Sequence, residues 1–228
     1  MKYLFLFLLV FTSGAAVATE PGSQYQQQAE AGDRRAQYYL ADTWVSSGDY
    51  QKAEFWAQKA AAQGDGDALA LLAQLKIRNP QHADYPQARQ LAEKAVKAGS
   101  KSGEIVLARV LVNRQAGPTD VAHAITLLQD AAQDSESDAA VDAQMLLGLI
   151  YASGVHGPED DVKASEYFKG SSALSRTGYA EYWAGMMFQQ GEKGFIEPNK
   201  QKALHWLNVS CLEGFDTGCE EFDRISKG

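Results

Sequence analysis

Small and apolar residues recur along this chain of 228 residues with the spacing of helices, and the segments that carry them end at a glycine or a serine. The clearest segment reads WAQKAAAQG, and weaker copies read LAEKAVKAG and WLNVSCLEG. The breaks that end these segments are Gly32, Gly64, Gly99, Ser135, Ser175 and Gly214. They lie 32 to 40 residues apart, a period typical of repeats built from pairs of helices. The pattern therefore predicts stacked helical hairpins.

A second pattern follows each break: a small residue, then usually a large apolar residue four positions later with a further small residue beside it. The sets are Ala36, Leu40 and Ala41; Ala68, Leu72 and Ala73; Gly103, Leu107 and Ala108; Ala143, Leu147 and Gly148; and, more weakly, Ala180, Ala184 and Gly185. Each set shares one helix face. Helix propensity alone would not return small residues to fixed places, so we predict close helix crossings there. This phase places Ala61 and Gly148 at crossings and Gln58 on an exposed face.

Glycine, proline, asparagine and aspartate mark the expected turns. Gly64 is suited to end one helix in the left-handed conformation, and Asp65 and Asp67 are suited to cap the next. The turns inside the hairpins are 46–50, 78–86, 114–120, 153–161 and 191–199. These signals predict an all-α fold, a right-handed α/α superhelix of about five helix pairs with a C-terminal capping helix over 216–227. Core positions are predicted for Trp44, Trp56, Trp183 and Trp206.

The N-terminus has the pattern of a cleavable signal peptide over residues 1–18. Lys2 precedes an apolar run from Tyr3 to Phe11, and Ala16-Val17-Ala18 offers a cleavage site. The run is shorter than the roughly 20 residues that a spanning helix needs, although an uncleaved anchor is the alternative. We therefore predict an exported mature chain, residues 19–228, that forms a single domain and does not insert into a membrane; together with the family resemblance described below, this indicates the bacterial periplasm.

Charge and motifs exclude several classes of function. The chain carries 29 acidic and 21 basic residues, a formal charge of -8. This balance argues against binding to nucleic acid or to an anionic lipid surface. The four histidines, His82, His123, His156 and His205, are scattered, and no nucleophile, phosphate-loop or dinucleotide motif occurs. The sequence thus predicts a protein that is not an enzyme and holds no cofactor or metal.

One stretch, AQMLLGLIYASGVHGPEDDVKASEYFKGSS, resembles a SEL-one-like repeat, a relative of the tetratricopeptide repeat. The residues that match the family pattern in order are Ala143, Leu147, Gly148, Tyr151, Gly154, Asp161, Lys163, Ala164, Tyr167 and Phe168. The resemblance extends over residues 25–225, with the second and third copies degenerate in their turns. It implies an exported bacterial α-solenoid that serves as a scaffold for other proteins.

The two cysteines, Cys211 and Cys219, lie on either side of the Gly214 break, so their Cβ atoms can face each other across a hairpin. In an oxidising compartment this arrangement favours a disulfide. Two free thiols or a metal-binding pair are the alternatives. Secreted, cysteine-rich relatives of the family share the spacing, and the resemblance therefore implies a structural bridge that holds the terminal helix.

The resemblance also implies which positions face inward, because the first helix of each tetratricopeptide-like pair lines the concave side. The predicted partner-binding residues of this inner wall are Arg35, Tyr38, Asp42, Asp67, Gln74, Arg78, Arg109, Asn113, Asp142, Met145, Tyr179, Tyr182, Met186, Gln189 and Gln190. The mixture of charge, amide, aromatic and methionine suits a protein surface. For Tyr38, Met145 and Tyr182, packing between neighbouring helices is an equal alternative.

These observations predict a non-enzymatic, periplasmic scaffold with one protein partner. A specific form of this function is an immunity protein that neutralises an antibacterial secretion-system effector such as a phospholipase, since some short exported members of the family have that role. The alternatives are an envelope adaptor or regulator, and a hydrolase acting on cell-wall or drug substrates.

Overall fold

The computed structural model describes residues 23–78, 83–133, 138–174 and 177–227. In these ranges the chain forms α1 Ser23–Glu30, α2 Arg34–Ser47, α3 Tyr50–Ala62, α4 Gly66–Arg78, α5 Tyr85–Lys97, α6 Lys101–Val112, α7 Val121–Ala131, α8 Asp138–Ser153, α9 Asp161–Leu174, α10 Tyr179–Gln190, α11 Lys200–Leu212 and α12 Asp216–Ser226. A short 3₁₀ helix, Arg114–Ala116, follows α6. The predicted signal peptide, the breaks at Ser135 and Ser175, and His82 lie outside the described residues.

The helices pack as antiparallel pairs in two layers. The pairs are α2 with α3, α4 with α5, α6 with α7, α8 with α9, and α10 with α11. The first helices also pack closely on one another, from α2 through α4, α6, α8 and α10 to α12. Within the described ranges the backbones of the outer helices stay further apart, and α9 meets α11 through the rings of Phe168 and Trp206. A stack that is closer on one side than on the other must curve, so the first helices form the concave inner wall. The all-α solenoid predicted from the repeats is confirmed.

The small residues of the repeat lie at the helix crossings. Every member of the five predicted sets is buried, and a Cβ at Gly185 would lie 2.6 Å from Leu207 Cγ. Close approach of this kind is possible only where the side chain is small. Gln58 is exposed as predicted, but Ala61 is only partly buried, and Ala60, at 0 % exposure, occupies the crossing instead. The predicted phase of this one helix was wrong by one residue.

Glycine breaks and polar caps start and end the helices as predicted. Gly64 has φ +80°, and the Asp65 carboxylate accepts a hydrogen bond from Ala68 N at 3.0 Å, which satisfies a free amide of α4. Asp67 is not a cap, because its carboxylate instead accepts from Arg35 Nη1 at 3.1 Å and from Ser100 Oγ at 2.7 Å. The second helices begin with side-chain caps at Asp49, Asp84, Asp120, Asp160 and Asn199.

The turn between α10 and α11, residues 191–199, is here called the strap. An isolated bridge pairs Glu192 with Ile196, and the Ile196 side chain is buried in the core. The strap reaches back past α8 to the end of α6, where Arg114 N donates to Gly194 O at 2.9 Å and Asn113 Nδ2 donates to Lys193 O at 3.2 Å. The fifth helix pair thus contacts the third directly.

The C-terminal helix is held by a covalent bond and by close packing. The structure joins Cys211 of α11 to Cys219 of α12 in a disulfide. Ser210 Oγ donates to Gly178 O at 2.7 Å, and a Cβ at Gly218 would overlap the Ser210 side chain. Within the ranges that the structure covers, none of the helices is long and apolar enough to cross a membrane.

Candidate protein-binding surface

The concave inner wall carries three groups of the predicted residues. The N-terminal cluster, on α2 and α4, contains Arg35, Tyr38, Asp42 and Asp67. The central cavity, between α4, α6, α8 and α10, is lined by Gln74, Arg109, Asp142, Met145 and Tyr179 among others. The C-terminal part, on α10, carries Tyr182, Met186, Gln189 and Gln190.

The N-terminal cluster is organised around Arg35. Its guanidinium lies over the rings of Tyr38 and Tyr39, 5.3 and 5.1 Å from their centroids, and donates to the Tyr39 hydroxyl at 3.2 Å. Burial, together with the nearby charge of Asp42, raises the pKa of Tyr38 to about 12. Tyr39 is 39 % exposed and stacks on Tyr25. Sequence reasoning missed Tyr39 because its position differs by one from the inward-facing register.

Asp42 differs from the two carboxylates that lie beside Arg35. Asp65 and Asp67 both lie within 3.6 Å of Arg35, whereas Asp42 makes no ion pair with any described residue. Partial burial raises the pKa of Asp42 above its ordinary value, because the charged form loses water. Its exposed carboxylate therefore lacks a paired cation among the described residues.

The central cavity is lined by both apolar and polar side chains and has a volume of about 340 Å³. Ile105 and Val106 contribute from α6, Met145 from α8 and Trp183 from α10. Met145 is 6 % exposed, so it both packs in the core and forms part of the cavity wall. Trp183, predicted as core, is half-buried and lines the cavity beside Tyr179. Its spacing on α10 could not reveal this, since the curvature of the stack decides which core-facing side chains reach the concave surface.

Among the described residues that line the central cavity, two side chains are charged, and they differ in their partners. Arg109 donates to the Glu192 carboxylate of the strap through Nε at 3.2 Å and Nη2 at 2.7 Å, a bidentate pair. Asp142 on α8 makes no ion pair in the described part of the chain. Burial in the wall raises the pKa of Asp142, the Asp138 charge raises it further, and the Arg109 charge opposes both effects.

The C-terminal part of the wall is aromatic and amide in character. The Tyr182 ring lies 5.3 Å from that of Phe215, which precedes α12. Met186 and Gln189 are half-buried, and Gln190 is exposed. Tyr182 is half-buried, and its ring lies 6.5 Å from that of the exposed Tyr179.

Two predicted residues do not belong to the concave surface. Asn113 is 1 % exposed, and its amide is committed to Lys193 O, to the Tyr85 hydroxyl at 3.1 Å and to Gln115 N at 2.8 Å. Its assignment to the binding surface was wrong because the strap covers it. Arg78 stacks over the Tyr50 ring at 4.1 Å, at the edge of the α4–α5 hairpin.

In the described residues no three His, Cys, Asp or Glu side chains lie close enough to hold a metal ion.

The stacked helix pairs, with small residues at their crossings and polar caps at their starts, define an α-solenoid of the helical-repeat class. The chain belongs to the Sel1 repeat family, whose model matches residues 34–65, 80–100, 141–174 and 178–215. The family model does not match the third helix pair, α6 and α7. This pair corresponds to one of the repeat copies whose turns are degenerate in the sequence.

The relatives agree with this assignment. The chain is 68% identical over 225 residues to the Sel1-repeat-containing protein YjcO of Escherichia coli K12, covering 99% of this chain and 97% of that one. A crystal structure of a putative Sel1 repeat protein from Klebsiella pneumoniae has 97% identity and a TM-score of 0.90, covering 91% of this chain and 100% of that one.

The fold is also similar to more distant solved structures. The c5321 protein of uropathogenic Escherichia coli, a protective antigen with the same repeat fold, has 23% identity and a TM-score of 0.51, covering 90% of this chain and 44% of that one. A Sel1 repeat protein from Oxalobacter formigenes has 17% identity and a TM-score of 0.54, with 90% and 88% of the two chains covered.

Proposed function

We propose that this protein is a non-enzymatic, exported binding protein whose inner wall holds one protein partner. The observation that carries the proposal is the preformed concave wall, with Tyr39 and Tyr179 exposed on it and the central cavity between them. A rigid surface loses little entropy on binding, and tyrosine is among the residues that most often anchor interfaces. Sel1 repeats mediate contacts between proteins, which supports the same role.

Export is supported by two independent features. Residues 1–18 have the pattern of a secretory signal, and the Cys211–Cys219 disulfide is of a kind that persists in oxidising compartments such as the bacterial periplasm. The periplasm is therefore the place in which we propose that the partner is met.

A more specific form of this proposal is an immunity protein for an antibacterial effector. Occupying an enzyme's active site with a concave wall requires no chemistry from the binder, and the acidic balance of this chain would favour a basic partner. An envelope adaptor would use the same wall without blocking an active site. Protection of cells against a co-expressed toxin encoded beside this gene separates the two roles.

The experiment that tests the proposal captures a partner with the intact protein from envelope extracts and then measures the affinity of variants for that partner. Tyr39→Ala together with Tyr179→Ala removes two anchors from distant parts of the wall. Each ring occupies a partly exposed site, so the fold should survive. We expect the affinity to fall roughly a hundredfold or more, as for the loss of two independent hot spots.

The matched control is Phe55→Ala, which removes a ring from the outer helix α3, where Phe55 is 51 % exposed, somewhat more than the two tyrosines. This variant should bind as the wild type does. A double variant that is folded and binds with unchanged affinity would show that the inner wall is not the site. Arg109 is unsuitable for this test, because its loss would also remove a contact between the inner wall and the strap.

A further inference from the structure

The charges on the inner wall are balanced unevenly. Its cations are already paired within the chain: Arg35 with Asp65 and Asp67, and Arg109 with Glu192. Asp142, by contrast, faces the central cavity without an ion pair among the described residues. Among the residues that the structure describes, the cavity therefore offers a partner an acceptor of positive charge but no free cation.

The apolar and aromatic walls add a second, independent preference. Ile105 and Val106 offer an aliphatic surface on one side, and Tyr179 and Trp183, one helical turn apart on α10, offer two rings on the other. Aromatic faces attract cations electrostatically. A volume of about 340 Å³ is at the lower end for ligand sites, so it suits one side chain better than a folded segment.

Resting on the proposed protein-binding role, we propose that the central cavity receives one lysine or arginine side chain of the partner. The aliphatic stem of that side chain packs between Val106 and Trp183, and its charged end donates hydrogen bonds to the Asp142 carboxylate. Long basic side chains combine an apolar stem with a charged head in this way.

Other occupants fit the cavity less well. A carboxylate would be repelled by Asp142 and would find Arg109 already occupied by Glu192. A purely apolar side chain would remove water from the Asp142 carboxylate without replacing its hydrogen bonds, which is costly. Asp142 is an exposed residue, and partial burial beside the cavity raises its pKa; a cation at this place would stabilise the charged form and oppose that effect.

The test uses the intact protein and four capped pentapeptides that have alanine at every position except the centre. The central residue is lysine, arginine, norleucine or glutamate, and the readout is the nitrogen-15 NMR signal of the Trp183 indole, assigned by its loss in Trp183→Phe. We expect the two basic peptides to shift this signal at millimolar concentrations, and the norleucine and glutamate peptides to leave it in place.

Two variants with matched chemistry locate the contact. Asp142→Asn should weaken binding of the lysine peptide about tenfold or more, which is the loss expected for one charge-assisted hydrogen bond. Asp161→Asn makes the same change at an exposed position of the outer helix α9, away from the inner wall, and should leave the affinity unaltered. Ser102→Phe, which fills the cavity from α6 without touching its charge, should abolish the shift.

The inference is overturned if the lysine peptide fails to shift Trp183, if norleucine binds as well as lysine, or if Asp142→Asn binds the lysine peptide normally. Tighter binding of free spermidine than of the lysine peptide would also overturn it, because the site would then be one for a small polyamine. None of these results bears on the capture of a partner through Tyr39 and Tyr179, so the proposed function fails or stands separately.

Discussion

The crossing of α8 and α9 gives the sharpest stability prediction. A Cβ added at Gly148 would overlap the ring of Phe168. That ring is 0 % exposed and lies edge-on to Trp206, with 4.9 Å between the ring centroids. Trp206 is itself buried, so the Phe168 ring has no open space into which it can move. We therefore expect Gly148→Ala to be destabilising even though alanine is the better helix former.

The magnitude follows from two opposing effects. Overpacking of a filled core costs roughly 1–3 kcal/mol, whereas replacing glycine by alanine inside a helix contributes roughly 0.5–1 kcal/mol. The expected net loss in the free energy of unfolding is thus about 0.5–2 kcal/mol. Urea unfolding followed by far-ultraviolet circular dichroism measures it, with the slope of the transition checked for two-state behaviour.

The matched control is Gly170→Ala in α9, where the new Cβ would meet only the flexible end of the Gln144 side chain. This variant should be neutral or slightly stabilised. Combining Gly148→Ala with Phe168→Leu, which opens space at the crossing, should cost less than the sum of the two single changes. A Gly148→Ala protein at least as stable as the wild type would refute the packing argument.

Three further predictions concern charge, the strap and export. The raised pKa of Asp142 means that the folded chain binds more protons than the unfolded one, so stability falls as pH rises through that pKa. Asp142→Asn should therefore raise the free energy of unfolding at pH 7. The gain should be less than about 1 kcal/mol, because the carboxylate remains in contact with water. An unchanged or lower melting temperature for Asp142→Asn would count against this. In a double-mutant cycle, Arg109→Gln and Glu192→Gln should show a coupling of roughly 0.5–2 kcal/mol, and additive effects would mean that the pair contributes nothing to holding the strap. Intact-mass measurement should find a mature chain that begins at Thr19 and reacts with an alkylating agent only after reduction; a full-length chain, or two reactive thiols without reduction, would contradict export.

The repeat pattern was sufficient for the architecture because its signals are local. A left-handed glycine such as Gly64 and a cap such as Asp65 act on residues within one helical turn, and the small residues at the crossings, Gly148 and Gly185 among them, recur with a fixed period. Such features depend on the neighbouring sequence and can be inferred from it. Ala61 shows the limit of this inference, because within a run of consecutive alanines the sequence does not show which one lies at the helix crossing.

The inner wall was less predictable because long-range contacts decide it. Asn113 has the expected register but is covered by Lys193, which is 80 residues further along the chain. Trp183 carries a core-like spacing but lines the central cavity. No local pattern marks either position, because the strap and the curvature of the stack exist only once all the pairs have assembled.

The strap has a consequence for how the protein unfolds. In a linear array each repeat interacts only with its neighbours, and unfolding can begin at either end and spread unit by unit. Here Arg114 N and Gly194 O join the third pair to the fifth, so opening α10 and α11 also removes contacts from α6. Unfolding of the C-terminal pair is therefore coupled to loss of contacts in the third pair. We expect the amide hydrogens of α6 and α11 to exchange with solvent as one cooperative unit.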